Sequence, residues 1–319
     1  MSQEPTYAIS YGKMHVPVYR VYAQPLAGIQ PIPESLFTSR SNTLWAFEVD
    51  VEVFGQNFLP AYTEGDNSAV VATDSMKNFV LREALDYTGS TLEDFLYVLG
   101  QHFLDTYEQM ERLQLTAREL PFSLVPVPQR GYASFTESGI LFRRTHDDYA
   151  VAELSFERSE RGPVVTFQRS GRVGLELLKV TGSSFTRFVQ DEYTTLPERV
   201  DRPLFVYLDV HWKYAHHEDF VGRDLARYVA AEQVRDVVQV VFHEFVSESI
   251  QHLVHEIGLR LFQRYPQICE LSFAAQNRTR DQISVSESDE KIRVYSDPFS
   301  AYGLIKLTLQ REVRMTEEV

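Results

Sequence analysis

Thr73, Asp74 and Ser75 place two hydroxyls and a carboxylate where the β-forming run Val70-Val-Ala72 meets the helical pattern Met76-Lys-Asn-Phe-Val80. The pattern predicts a strand handing over to a helix from about Ser75 to Tyr87, with the cluster in the N-cap region. Unpaired backbone N–H groups and the helix dipole favour an anion at such a point. Taken alone, a Thr-Asp-Ser cluster is usually only a helix cap. Lys13, after Gly12 in the β-rich stretch Tyr7–Tyr22, is a solvated strand lysine unless something buries it. Metal chemistry is poorly supported. His211, His216, His217 and His243, and the pair His252 and His255, show neither HExxH nor Cys/His spacing. Glu48, Asp50 and Glu52 could share a cation, but a solvated acidic face accounts for them as well. A Gly-rich phosphate loop, a G-x-S-x-G elbow and a dinucleotide fingerprint are all missing.

Several elements must hold these groups in place. Trp45, Phe47, Val49, Val51 and Val53 alternate with the three acids, which predicts a strand buried on one face. Ser90-Thr-Leu-Glu93 is a capping-box pattern opening a helix with a stripe of Leu92, Phe95, Leu96, Leu99 and Phe103. Leu120–Val127 reads as extended. Ala150–Arg158 and Val164–Arg169 flank a turn at Ser159-Glu-Arg-Gly162, and Val173–Val180 is a further strand. Phe205–Tyr214 alternates again, and residues 219–246 hold helical material. A helix from about Ser249 places Gln251 in its first turn, near free backbone donors. Leu271–Phe273, Ile292–Tyr295 and Gly303–Leu309 close the pattern as strands.

Two echoes suggest a duplication. Thr73 and Ser75 recur as Thr181 and Ser183, 108 residues on (181 − 73). Tyr107-Glu-Gln-Met-Glu-Arg-Leu113 matches Tyr265-Pro-Gln-Ile-Cys-Glu-Leu271 at 158 (265 − 107). The expected plan is an α+β chain of two homologous units, residues 1–150 and 151–319, the second with a helical insertion near 219–246.

With 319 residues and 44% apolar content, the chain can bury an ample core. A net charge of −14 and a pI near 5.1 argue against a general nucleic-acid or membrane-surface binder. Any anionic ligand must be drawn by local cations against that field. A single cysteine, Cys269, excludes an internal disulfide framework and suggests a reducing compartment. No apolar run approaches a membrane span, and neither a secretory signal nor a Ser-Lys-Leu ending is visible. A cytoplasmic location is expected.

The chain resembles the urate oxidase (uricase) family in Tyr11-Gly-Lys13, Ala72-Thr-Asp-Ser-Met-Lys-Asn78 and Ser183-Ser-Phe-Thr-Arg-Phe-Val-Gln-Asp-Glu-Tyr-Thr-Thr-Leu-Pro197. The likeness continues through Asp201-Arg202, Ile250-Gln251, Asn277, Ser296-Asp-Pro298 and Gly303-Leu-Ile-Lys306. It implies a tandem T-fold, with two antiparallel-sheet units backed by helices and four chains closing the sheets into barrels around a tunnel. It also implies oxidation of urate by O₂ without metal or cofactor, at sites between subunits.

The resemblance assigns roles that suit the residue types. Phe185 would offer a ring to stack on the flat anion, and Arg202 its forked donors. Gln251 would present one acceptor and two donors to the ring edge, and the Ile250 N–H would meet an oxygen. Thr73 and Asp74 would join the substrate contacts, Lys13 acting as base through the Thr73 hydroxyl. Asn277 would face O₂ or water, with Ile305 walling the pocket. Where the fungal and animal pattern has Asn-x-His, this chain reads Asn277-Arg278-Thr279, leaving Thr279 to hold a water in the relay's third place. A T-fold protein that only binds a purine or pterin, or a pterin-processing enzyme, stays open beside this reading. The latter often anchors its substrate with zinc and a Glu, where this chain has Gln251.

Overall fold

The computed structural model describes residues 6–129, 134–145, 147–278, 280–296 and 302–311. The chain divides into two units: residues 1–30, 38–170 and 216–228, and residues 31–37, 171–215 and 229–319.

In the first unit, β1 (Ser10–Val21) pairs with β2 (Leu44–Phe54), β2 with β3 (Arg112–Glu119), and β3 with β6 (Tyr149–Ser159), all antiparallel. The short α1 (Leu59–Thr63) leads to α2 (Thr73–Asp86) and α3 (Leu92–Thr106), while β4 (Phe122–Pro128) and β5 (Phe135–Arg144) make a separate ribbon. The alternation in β2 predicts its faces correctly. Phe47, Val49, Val51 and Val53 are wholly buried with Phe95, Leu96, Leu99 and Phe103 of α3. Each such side chain contributes about 1.5–3 kcal/mol. The three carboxylates on the acidic face of β2 have separate protein partners. Glu48 pairs with His15, Asp50 with Arg118, and Glu52 accepts from the Ser10 hydroxyl.

The chain passes into the second unit within β7 (Gly162–Lys179), then runs through β8 (Leu204–Tyr214), α4 (Ala231–Glu244), α5 (Ile250–Arg264) and β9 (Ile268–Asn277). The small pair β10 (Asp281–Val285) and β11 (Arg293–Ser296) precedes β12 (Gly303–Gln310). β9 lies between β8 and β12, antiparallel to both. Val206, Leu208, Val210 and Trp212 of β8 are buried, as are Leu253, Val254, Ile257 and Leu261 of α5.

The two units answer each other at a spacing of 158, not 108. Ala72 and Ala230 (230 − 72) are the N-caps of α2 and α4, and Thr91 and Ser249 (249 − 91) those of α3 and α5. Tyr107 and Tyr265 (265 − 107) are C-caps whose N–H groups bond back to Phe103 and Leu261. Gly100 and Gly258 (258 − 100) sit where a Cβ would meet Phe156 of β6 or Leu309 of β12 at 2.3 Å, so a larger residue would have to displace the strand side chain. A basic side chain from a strand or its end also holds the carboxyl end of every one of these helices. Arg20 donates to the Ala84 and Tyr87 carbonyls, Lys179 to Phe242 and Phe245, Arg158 to Tyr107, and Arg311 to Phe262.

This geometry corrects several expectations. The Thr73/Thr181 echo is a coincidence of composition, because Thr73 opens a helix whereas Thr181 lies in the loop after β7. Helix α4, expected as an insertion near 219–246, stands 158 residues after α2 (231 − 73) as its counterpart. Residues 70–72 form no ladder. The Val71 N–H donates to the Tyr11 hydroxyl at 2.8 Å, so a side chain takes the place of a partner strand. The α2 cap is Ala72 rather than Thr73, Asp74 or Ser75, and Thr73 is already helical. The α3 cap is Thr91, whose hydroxyl accepts from the Asp94 N–H. Val164–Arg169 and Val173–Val180 join in the one strand β7.

Glu34 fixes residues 31–37 onto α5. Its side chain is only 2% exposed and receives Arg260 at 2.8 Å and Arg264 at 2.7 Å. Burial pushes its carboxyl up, but the hydrogen bonds from Arg264 and Arg260 outweigh that and bring it down to about 2. The folded value lies below the ordinary one, so the stabilisation is complete above the unfolded range and drains as pH falls towards 2. Glu34→Gln should cost about 3 kcal/mol near neutral pH by leaving two cations under-paired. Denaturant titrations from pH 6 to pH 2 should show the gap from wild type closing; a gap independent of pH would refute the ion-pair account.

Candidate active site

The loop between β7 and β8 is folded back on itself by backbone bonds. Phe185 and Arg199 exchange both N–H···O contacts, at 2.8 and 3.0 Å, and the Arg202 N–H donates to the Ser183 carbonyl at 2.9 Å. Asp201 secures the turn by accepting from the Thr181 hydroxyl and the Gly182 N–H. This brings the Arg202 guanidinium over the Phe185 ring, 5.5 Å from its centroid. The Ser184 N–H donates to the Ser247 carbonyl, and the buried Ser247 hydroxyl donates to that of Ser183. Ser247 lies just before the α5 N-cap, so the loop is tied to the helix start that carries Ile250 and Gln251.

At that start the Ser249 hydroxyl accepts from the His252 N–H, leaving the Ile250 and Gln251 donors outside the cap. Ile250 is buried and Gln251 exposed. Gly258 meets Leu309, and Arg311 holds the Phe262 carbonyl, so α5 runs alongside β12 with its N-terminus towards Ile305. Asn277 pairs with Val206 and Gly303, and Ile305 with Ala275. Strand alternation therefore puts Asn277 and Ile305 on the helix-covered face, at the end of the sheet nearest Gln251.

The electrostatics of Arg202 are unusual for a chain of this charge. Its Nε is buried without a hydrogen-bond partner. Burial, and then the charge of Arg199, hold the guanidinium below its ordinary pKa. A cavity of about 310 Å³ opens beside it, lined by Arg199, Arg202, Arg278, Arg280, Arg293 and Asn277 with Asp201 and Asp281. Five guanidinium groups against two carboxylates give it a local positive excess that favours an anion. Phe188 already lies against Phe185, parallel to within 11° and 4.8 Å between centroids, so a side chain takes the stacking position a flat ligand would want.

The first unit carries the remaining groups. Lys13 is half-buried on β1, just before the irregularity between Lys13 and Val16 at which His15 turns to φ 54°. Gly12 lies so close to the Val51 carbonyl that a Cβ there would sit 1.9 Å from the oxygen, which fixes the strand at Lys13. Thr73, half-buried, opens α2. The Asp74 carboxylate is engaged by Lys77 at 2.5 Å and Asn78 at 3.1 Å, which leaves its backbone N–H as the group to offer a ligand. The hydrogen bond from Lys77 holds the Asp74 carboxyl below its usual range, and Lys13 adds a smaller pull in the same direction. Lys13, Thr73 and Asp74 thus gather in the first unit; Phe185, Arg202, Ile250, Gln251, Asn277 and Ile305 gather in the second. Thr279 lies outside the described residues.

The family model for uricase matches residues 36–152 and 168–306. The chain belongs to the uricase family. A uricase of Haloferax volcanii is 48% identical over 304 residues, 95% of this chain and 98% of that one. The bifunctional uric acid degradation protein of Bacillus subtilis is 44% identical over 95% of this chain, which spans 61% of its length. A crystal structure of urate oxidase from Bacillus sp. TB-90 superposes with a TM-score of 0.92 at 43% identity, covering 95% of this chain and all of that one.

The cavity of this uricase also brings together cations that no sequence pattern singles out. Arg199, Arg278, Arg280 and Arg293 line the cavity, yet in sequence they are scattered arginines with no spacing to single them out. The pairing of Phe185 with Arg199 is what selects the first of them.

Proposed function

We propose that this enzyme oxidises urate with O₂ and water to 5-hydroxyisourate and H₂O₂, using neither metal nor cofactor. The observation that carries the reading is Arg202, a half-buried guanidinium with a buried, unpartnered Nε, poised over the Phe185 ring beside an arginine-lined cavity. A planar anion satisfies all three features at once. Urate stacks on Phe185 in the place Phe188 holds, receives the Arg202 fork, and meets Gln251 and the Ile250 N–H at its opposite edge. Lys13 takes up a further proton through the Thr73 hydroxyl. The electron-rich dianion then gives two electrons to O₂ held near Asn277, and water adds to the oxidised ring. Ile305 walls the pocket, and Thr279 holds a water.

Residues 1–150 and 151–319 are successive T-fold repeats, and four chains close their sheets into barrels. Each site combines Lys13 and Thr73 of one subunit with Phe185, Arg202 and Gln251 of its neighbour. No helix among the described residues is long and apolar enough to cross a membrane, and a cytoplasmic location suits the lone thiol.

Purified protein dialysed against a strong chelator should still bleach urate absorbance, consume one O₂ per urate and release one H₂O₂. Activity lost with the chelator and restored by a metal would end the cofactor-free reading. Binding of urate without O₂ uptake would leave a purine-binding protein in its place.

A further inference from the structure

Arg278 stands between Asn277 and Thr279, on the opposite side of β9 from the Asn277 side chain. Its guanidinium carbon lies 4.9 Å from the Tyr207 ring centroid and 4.2 Å from that of Tyr302. Tyr207 belongs to β8 and Tyr302 immediately precedes β12, so one ring comes from the strand on either side of β9. An Nη2–H donates to the Gln276 side-chain oxygen at 3.0 Å, and the Nε is buried with no partner. The backbone N–H of Arg278 reaches back to the Phe205 carbonyl at 3.3 Å. The ladder ends at this row, and Gly303, across from Asn277, has no side chain to brace it. Bracing on the other face falls to Arg278.

We propose that Arg278 is a positioning residue: clamped between Tyr207 and Tyr302, it locks the ends of three strands and thereby aims the Asn277 amide into the site. This rests on the reading of Asn277 as the group facing O₂ or water. The clamp calls for a planar, weakly hydrated cation that stacks on aromatic rings, which lysine does not supply. Loss of the clamp lets the amide drift, and a misplacement of about 1 Å costs up to a hundredfold in rate.

The test is a double-mutant cycle on the intact oligomer, with Arg278→Lys, Tyr302→Leu and Asn277→Ala. Arg278→Lys and Tyr302→Leu should each lower kcat and kcat/KM for O₂ about tenfold. In Tyr302→Leu, which changes no group lining the cavity, affinity for an unreactive purine analogue should stay within about twofold. In the Asn277→Ala background Arg278→Lys should add nothing further. Wild-type kcat in Arg278→Lys, or a loss that multiplies undiminished with that of Asn277→Ala, overturns the clamp. Should Arg278→Lys fail to fold, Tyr302→Leu decides by the same criteria. Full activity in Asn277→Ala would overturn the role of Asn277 and the proposal with it, an outcome distinct from failure of the clamp, which leaves Asn277→Ala impaired.

Discussion

Arg202→Gln is expected to lower kcat/KM for urate by about 3 kcal/mol, roughly 150-fold, with little effect on the melting temperature. The asymmetry follows from how the residue is held. Its backbone N–H secures the loop through the Ser183 carbonyl and survives the substitution. Its guanidinium does little for the fold, being half-buried beside the like charge of Arg199 and with an orphan Nε. Such a charge is a standing cost until an anion arrives, so its removal is felt mainly when substrate or transition state is bound. Glutamine keeps a polar group of lesser reach but supplies neither the charge nor the fork. Steady-state kinetics alongside calorimetry separate the two effects. Unchanged kcat/KM, or a lost melting transition, would mean that Arg202 belongs to the framework and not to the site.

Lys13→Met should depress kcat by two to four orders of magnitude, about what positioned proton transfer contributes, while an unreactive purine analogue still binds. Thr73→Ala should act alike, and the double variant should be little worse than either, because the pair works as one relay. Multiplicative losses would show that they act separately. The same variant tests where the site is built. Two-fold related subunits have two equivalent sites per pair, so a pair of one Lys13→Met and one Arg202→Gln chain has one doubly damaged site and one intact site. Random pairing makes half the pairs mixed, so co-expression should restore about a quarter of wild-type activity. Verified mixed oligomers without activity would place every site group within a single chain.

Much of this protein was legible in the order of its residues. The alternation from Phe47 to Val53 and the stripe from Leu92 to Phe103 are local periodicities, and burial follows them because one face of a strand or helix must leave water. The Tyr107/Tyr265 echo falls on two matching helix ends, since a C-cap is a local event with a local signature. Family membership was legible too, in the stretch from Ser183 to Pro197. The Thr73/Thr181 echo misled, because two small polar residues fit a helix start and a loop equally well. Composition alone does not distinguish them.

Tertiary structure decided the rest. Val70-Val71 has the makings of a strand, but the Tyr11 hydroxyl 60 residues away takes the Val71 N–H, and no ladder forms. By residue type alone Arg202 is an arginine after an aspartate, and only the family resemblance singled it out; its burial, the charge of Arg199 and an unpartnered Nε are what the structure adds. Arg278 carried no signal until β8 and the approach to β12 brought Tyr207 and Tyr302 against it. For Val71 and Arg278 the deciding partner is remote in sequence. Periodicity reports which way a side chain points, but what it meets there depends on how distant segments pack.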